Sequence, residues 1–355
     1  MIVLGLGFGD EGKGVTTSFL CSQLNNPIVV RFNGGHQAGH TVFSNGVRHV
    51  FSNFGSGTLD GHPTLWSHFC TFSPESFLKE RLELNNPEFY IHALCPVTTP
   101  YDILFNRQNN KTLVHGSCGV GFGATLKRQE AGFKLFVQDL FYDKILFEKL
   151  NNIAKFYQLE NLDINPYLDS ILMVRKFINL VFDYSILQKF NPVFEGAQGI
   201  LLDMDFGFFP NVTPSNTTSK NALAIYPSQE IYYVSRTYQT RHGNGFMSNE
   251  HLIPELSNFE NETNVLNEHQ GKFRKSILDL DLLNYSLQCD NHFSDGLKKN
   301  LVITCADHTN EFVKVTRNDS IISLKINDIP DALNNKFDNL YISKGPSKND
   351  FIKIK

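Results

Sequence analysis

Three glycine-rich stretches hold the residues best suited to chemistry. The first, MIVLGLGFGDEGKG (Met1 to Gly14), sets Asp10, Glu11 and Lys13 among Gly7, Gly9, Gly12 and Gly14. Glycines at that density let the backbone turn sharply and aim its N–H groups at an anion. From Gly7 to Lys13 the spacing fits the phosphate-loop pattern GxxxxGK, but Gly14 stands where a Ser or Thr would hold magnesium. Asp10, a carboxylate inside the loop, can replace that ligand. The second stretch, Asn33-Gly34-Gly35-His36-Gln37-Ala38-Gly39-His40-Thr41, carries two histidines. Either is a hydrogen-bonded structural residue or an acid and donor beside bound phosphate. The third, Gly116 to Gly123, opens with hydroxyl and thiol donors at Ser117 and Cys118.

Each stretch needs an element to aim it. Ile2, Val3, Leu4 and Leu6 form a short apolar run of the kind that becomes a buried parallel strand, and Val15 to Leu20 reads as the start of a helix. The loop between them would therefore present a helix N-terminus to phosphate. Ile28 to Phe32 is a second strand emptying into the histidine loop, and ligands of α/β proteins sit beyond such carboxyl ends. Val42 to Val50 reads as a hairpin turning at Asn45-Gly46. A helix is expected around Pro74 to Leu84. Helical periodicity then runs through 136–188, with core-facing stripes at Ile145, Phe147, Leu150, Ile153 and Tyr157, then at Ile171, Val174, Ile178 and Val181.

Further strands end in polar turns. Pro192 to Gly199 (PVFEGAQG) leads through Leu201 to Asp205 into the polar cluster Pro210 to Thr218. Tyr232 to Val234 leads to Thr240-Arg241-His242-Gly243-Asn244-Gly245, and Leu301 to Thr304 to Cys305-Ala306-Asp307-His308. A hairpin around Asn318-Asp319, the turn Ser343-Lys344-Gly345-Pro346 and a short strand follow. No repeat, linker or low-complexity block divides residues 1–355, so the expectation is one α/β domain on a mostly parallel central sheet with a phosphate-binding loop.

Composition narrows the function classes. The 355 residues carry a net charge of −4, with 41% hydrophobic and 19% charged residues, and 31 Phe to 1 Trp. No run of Lys or Arg exceeds two, which argues against a general nucleic-acid surface. The six cysteines (Cys21, Cys70, Cys95, Cys118, Cys289, Cys305) show no zinc-type or CxxC spacing and read as reduced thiols of a cytoplasmic protein without a signal peptide. No apolar run approaches the roughly 20 residues of a membrane span.

The blocks GDEGKG (Gly9 to Gly14), NGGHQAGHT (Asn33 to Thr41), FEGAQGILLDMDFGFFPNVTPSNTT (Phe194 to Thr218) and TRHGNG (Thr240 to Gly245) resemble, in order, those of the adenylosuccinate synthetase family. That resemblance implies a homodimeric enzyme joining L-aspartate to C6 of a purine mononucleotide, with a nucleoside triphosphate and Mg²⁺. Asp10 would take the N1 proton and ligate the metal together with the Gly39 carbonyl. His40 would donate to the transferring phosphoryl group. Gly9, Glu11, Gly12, Lys13, Gly14, Thr41, Asp307, Gly345 and Pro346 would complete the triphosphate site. Gln37, Ser117, Cys118, Gln198, Thr213 and His242 would hold the mononucleotide, and Lys272 and Arg274 the aspartate. Lys127 and Arg128 lie where the family places an arginine that reaches the partner subunit's nucleotide phosphate.

The sequence departs from the family pattern in four respects. The chain is several tens of residues shorter than a housekeeping member. Val120 replaces a loop arginine, and the arginine run is thinned to Gly271-Lys272-Phe273-Arg274-Lys275-Ser276. Cys305 stands in place of the lysine beside guanine, which leaves GTP, ATP and dATP open as donors. These losses resemble the short phage-encoded branch that uses dGMP and makes the 2-amino-deoxyadenylosuccinate precursor of diaminopurine DNA, although some members of that branch have a small residue in place of Asp10. A deoxyribose needs no 2′-OH contact. The expectation is therefore dGMP ahead of IMP, with a catalytically dead nucleotide binder as the alternative of another class.

Overall fold

The computed structural model describes residues 1–44, 46–108, 119–257, 262 and 272–355. Ile2–Gly5 (β1) and Pro27–Arg31 (β2) are buried throughout, and Lys13–Ser22 (α1) joins them. His40–Ser44 (β3) and Val47–Phe51 (β4) make the expected hairpin, with Ser44 opposite Val47; Asn45 of its turn lies outside the described residues. Thr64–Trp66 (β5), Phe89–His92 (β6), Asn179–Val181 (β7) and Asn191–Gly199 (β8) follow. Then come Glu230–Arg236 (β9), Tyr238–His242 (β10), Phe273–Asp279 (β11) and Lys298–Thr304 (β12). Phe312–Arg317 (β13), Ser320–Lys325 (β14), Asn339–Ser343 (β15) and Phe351–Lys353 (β16) end the chain.

Ten strands form one sheet in the order β16-β15-β12-β9-β1-β8-β2-β5-β6-β7, parallel except where β16 turns back on β15. The alternation within each strand explains why both faces are covered. Ile2 and Leu4, Ile28 and Val30, Phe194, Ile231 and Tyr233 enter one core. Val3, Val29, Val193, Tyr232 and Val234 enter the core on the other face, beneath α1. Strands buried on both sides read as unbroken apolar runs, which is how they were visible in the sequence. β10, β11, β13 and β14 form a separate four-stranded sheet.

The helix at Pro74–Arg81 starts as expected, with Ser73 accepting from Ser76 N–H and Pro74 in the first turn. The 136–188 stretch resolves into helices Asp143–Tyr157 and Asn165–Val174, then β7. One expected stripe is corrected: Ile145 and Phe147 are 43% and 48% exposed, and the buried face is Leu146, Leu150, Ile153 and Ala154. A two-residue step cannot stay on one face of a 3.6-residue helix.

Arg128 is also corrected. In helix Phe122–Glu130 it is fully buried, and every nitrogen is engaged within its own chain. Nε and Nη2 donate to Asp102 at 2.9 and 3.2 Å, Nη1 to Phe133 O and Nη2 to Val97 O. It cannot reach a partner's phosphate. Lys127, beside it, is exposed. Arg128→Met should lower the unfolding free energy by about 3–5 kcal/mol in urea titrations, because Asp102 is left as an unpaired buried charge. Adding Asp102→Leu should recover much of that loss.

Candidate active site

The phosphate loop folds around its own acid. Glu11 is buried, and its carboxylate accepts from Gly7 N–H at 3.0 Å and Gly9 N–H at 2.7 Å and pairs with Lys13 Nζ at 2.5 Å. It packs so tightly that a Cβ at Gly5 or Gly199 would overlap it. Glu11 therefore has only its main chain to offer a triphosphate. The open donors lie one step on. α1 begins at Lys13 behind Gly12, at φ 90°, and no side chain caps it. The amides of a first helical turn have no intrahelical partner, so this end suits an anion.

Asp10 sits in the loop at φ 63°, a conformation non-glycine residues rarely adopt. Arg236 Nε donates to its carbonyl, and Glu262 and Tyr238 hold that guanidinium in turn. His242 Nε2 lies 3.2 Å from Asp10 Oδ2, and the Asp10 side chain remains 26% exposed. Burial raises its carboxyl pKa, but the His242 hydrogen bond and the charges of His242, Arg236 and Lys13 bring it below the usual value. Asp10 is thus held ionised and within reach of a ligand.

His40 opens β3 directly against α1; a Cβ at Gly14 would lie 2.9 Å from the His40 Cβ and 3.4 Å from Thr41 O. Its Nδ1 lies 2.7 Å from Glu195 Oε1. Glu195 also accepts from the Ser56 amide at 3.1 Å and from the Ser56 hydroxyl. Burial lowers the His40 pKa; Glu195 pulls it up, while Arg31 and Lys13 push it down, leaving it below the ordinary value. In the neutral ring, Nδ1–H donates to Glu195, so Nε2 donates only once the ring gains a proton.

A second cluster surrounds Gly34. A Cβ there would lie 3.4 Å from Gln198 Oε1 and 3.5 Å from Gln37 Nε2, and Gly34 N–H donates to Ser215 Oγ at 3.3 Å. Among the described residues, both side-chain polar atoms of Gln37, Gln198 Oε1 and Thr71 Oγ1 are buried without a hydrogen-bond partner, as is His36 Nδ1 next along the chain. The orphaned atoms of Gln37, Gln198 and Thr71 around Gly34 and Gly35 suit a polar ligand. Thr213, half-exposed, is tied to Leu202 O at the exit of β8.

The far end of the site is assembled by the neighbouring strands. Thr304 Oγ1 donates to Glu11 O at 2.7 Å, joining the end of β12 to the phosphate loop. Ala306 N–H donates to Ser343 O, which joins the residue before Asp307 to the end of β15, where the Gly345-Pro346 turn begins. Asp307 Oδ2 lies 3.8 Å from His308 Nε2. Arg274 pairs in register with Arg241, donates to Gly245 O at 2.9 Å and bridges exposed Glu250 at 3.1 Å. Lys272 is exposed, and its carbonyl accepts from Gly243. Ser117 and Cys118 lie outside the described residues. Sequence reasoning missed Glu195, Ser56 and Arg236; an acid inside the apolar strand PVFEGAQG was the available signal for Glu195.

A model of the adenylosuccinate synthetase family matches residues 2–330. The chain belongs to the adenylosuccinate synthetase family. It is 33% identical over 275 residues to the adenylosuccinate synthetase of Histophilus somni strain 2336, covering 69% of this chain and 63% of that protein. The Haemophilus ducreyi protein is 33% identical over 291 residues, with 74% and 66% covered. The chain thus matches less than two thirds of the length of these curated relatives. Among solved structures, fully ligated adenylosuccinate synthetase from Plasmodium falciparum superposes with a TM-score of 0.82 at 19% identity, covering 100% of this chain and 99% of that one. Cyanophage S-2L succinoaminodeoxyadenylate synthetase (PurZ), bound to dGMP and dATP as an energy donor, gives 0.69 at 16% identity, with 99% and 94% covered. Both share the mostly parallel α/β fold.

The half-buried His36 yields a test of this loop. Burial lowers its pKa to about 4, with Glu80 opposing weakly. The fold therefore favours neutral His36, and this contribution is complete above the unfolded value of about 6.5. It is lost as pH falls through that value towards 4. Melting temperatures measured from pH 7 to 4.5 should fall less for His36→Asn than for the unaltered protein.

Proposed function

We propose that the protein ligates L-aspartate to C6 of a purine mononucleotide through a 6-phosphoryl intermediate. The observation that carries this reading is the pairing of two differently held groups at the N-terminus of α1. Asp10 is an ionised carboxylate in the loop, and His40 is a ring fixed by Glu195 beside Gly14. A purine 6-oxo group leaves poorly and needs activation. Asp10 takes the N1 proton, O6 attacks the terminal phosphorus, and the nucleoside diphosphate departs. The amine of aspartate then adds at C6 and phosphate leaves. His40, on gaining a proton, donates to the phosphoryl oxygens that gather charge, alongside Lys13 and the first-turn amides of α1.

Asp10 and the exposed Gly39 carbonyl suit Mg²⁺, a hard ion that takes one or two protein oxygens and fills its other positions with phosphate and water. When bound it neutralises charge on the phosphates. On this reading Gln37, Gln198 and Thr213 hold the mononucleotide, Asp307 and the Gly345-Pro346 turn the triphosphate base, and Arg274 with Lys272 the aspartate. The protein acts as a homodimer, and exposed Lys127 is the remaining candidate for the contact first expected of Arg128. Among the described residues no helix is long and apolar enough to cross a membrane.

The finer reading is dGMP as acceptor. His242 beside Asp10 and the thinned arginine run support it, and the cyanophage protein of like fold binds dGMP and dATP. Purified protein with aspartate, Mg²⁺ and each pairing of IMP, GMP or dGMP with GTP, ATP or dATP, read by mass spectrometry, tests both levels. Product from IMP alone would return the protein to ordinary purine synthesis. No product from any pairing would leave a nucleotide binder.

Asp10→Ala and His40→Ala should each lower kcat by about 10²-fold or more with the fold intact by circular dichroism. Wild-type turnover in either would remove the assigned mechanism. A dGMP preference of about tenfold in kcat/KM requires ~1.4 kcal/mol of differential transition-state binding. His242→Val should erode that preference without abolishing turnover.

A further inference from the structure

Arg31 ends β2 with no part of its side chain exposed. A buried guanidinium normally sits in a network of acceptors, because its charge and five N–H groups lose their hydration. Among the described residues, none of the three Arg31 side-chain nitrogens makes a hydrogen bond. Its charge acts on His40 and Cys70, and two groups lie close by. Glu195 Oε2 lies 3.9 Å from Nη1, and the Trp66 ring centroid lies 5.3 Å from the guanidinium carbon.

The sheet register puts these three residues in one row. Arg31 pairs with Glu195 of β8 on one side and Trp66 of β5 on the other. Glu195 is fully buried as well, and its oxygens accept from His40 Nδ1 and from the amide and hydroxyl of Ser56. Its carboxyl is pushed up by burial and drawn back below the usual value by His40, Arg31 and Ser56. An arginine suits this place better than a lysine. It does not give up its proton when buried, and its flat face stacks on an aromatic ring.

We propose that Arg31 is a positioning residue for His40: its charge keeps Glu195 a carboxylate, and that carboxylate fixes the His40 ring by accepting from Nδ1–H. Nε2 is then the ring nitrogen left for a ligand. The inference rests on the reading of His40 as the phosphoryl-facing donor. It adds the group that holds the histidine in one tautomer and one orientation. Without the cation, a buried carboxylate loses its partner charge and tends to take up a proton. It would then offer an O–H as well as an acceptor, and the ring could settle with either nitrogen towards it.

The test uses Arg31→Met, which keeps a long stem against Trp66, and Arg31→Lys in the full-length protein. Turnover at saturating substrates should fall about tenfold or more in Arg31→Met while each KM stays near the wild-type value, with Arg31→Lys intermediate. In a Glu195→Gln background, adding Arg31→Met should change kcat by less than about twofold, because the two residues act as one unit. Histidine-selective ¹⁵N spectra of the protein without substrates should show His40 protonated at Nδ1 in the wild type and mixed tautomers in Arg31→Met. An unchanged spectrum, or a loss in the Glu195→Gln background equal to that in the wild type, would overturn the proposal. A drop in melting temperature with wild-type kcat per folded molecule would do the same, marking Arg31 as structural. Should Arg31→Met not fold, Arg31→Lys carries the same comparisons at smaller amplitude. His40→Asn with normal turnover would instead refute the reading of the site, and the spectra would still decide the role of Arg31.

Discussion

The carboxylate of Glu11 shapes the mouth of the sheet. It supplies an anion inside the phosphate loop, so the loop closes on its own Gly7 and Gly9 amides and on Lys13 before any ligand arrives. That closure dictates the glycines around it, since a side chain at Gly5 or Gly199 would collide with Glu11. It also divides the donors between two tasks. Gly7 and Gly9 serve the fold, while the first-turn amides of α1, with no side-chain cap, remain for an external anion. Thr304 locks the arrangement from outside by donating to the Glu11 carbonyl, so β12 and the phosphate loop are joined at one hydrogen bond. The loop is preorganised, and a phosphate needs only to dock.

The same demand, that charge buried at a strand end be compensated, recurs along the site. Glu195 is met by His40, Ser56 and Arg31; Arg236 is met by Glu262 and the Asp10 carbonyl. Strained backbone accompanies these charges. Asp10, Gln198 and Cys305 all adopt positive φ where strands β1, β8 and β12 give way to their loops. Non-glycine residues hold such angles only where the surroundings fix them, which is common where geometry serves a ligand.

What the sequence disclosed follows from the range of the interactions. Parallel strands covered on both faces are continuous apolar words, and the glycine loops follow them directly, so β1, β2, β8, β9 and β12 were readable with their exits. Asp10, Lys13, Gln37 and His40 stood out because their loops suit an anion. Contacts between distant segments were not. Glu195 meets His40 across 155 residues, and although an acid in an apolar strand stands out, nothing local names its partner. Arg128 illustrates the converse: beside a glycine loop it reads as a surface cation, but Asp102, 26 residues earlier, draws it into the core. The misplaced Ile145 and Phe147 stripe came from counting apolar residues without holding them to one helical face.

His242 shows how one side chain can act on a site without taking part in its chemistry. On the proposed reading Asp10 must accept a proton and also face a metal ion, and a donor placed on it bears on both. The ring nitrogen lies 3.2 Å from Oδ2, and an ionised carboxylate has about four acceptor directions on its two oxygens, so one such contact does not use up the group. The contact favours the ionised form and thereby weakens Asp10 as a base, since a lowered pKa reduces the drive to take a proton. That loss is tolerable where the proton leaves N1 as O6 is phosphorylated, because the forming bond itself acidifies the ring. The gain is geometric: a carboxylate at a strained φ, tethered through its backbone by Arg236 and through its side chain by His242, has little freedom to turn from the base it must meet. An apolar residue at 242 would leave Asp10 a stronger base but a less fixed one. On that reading, the identity of residue 242 bears on how tightly the base is aimed.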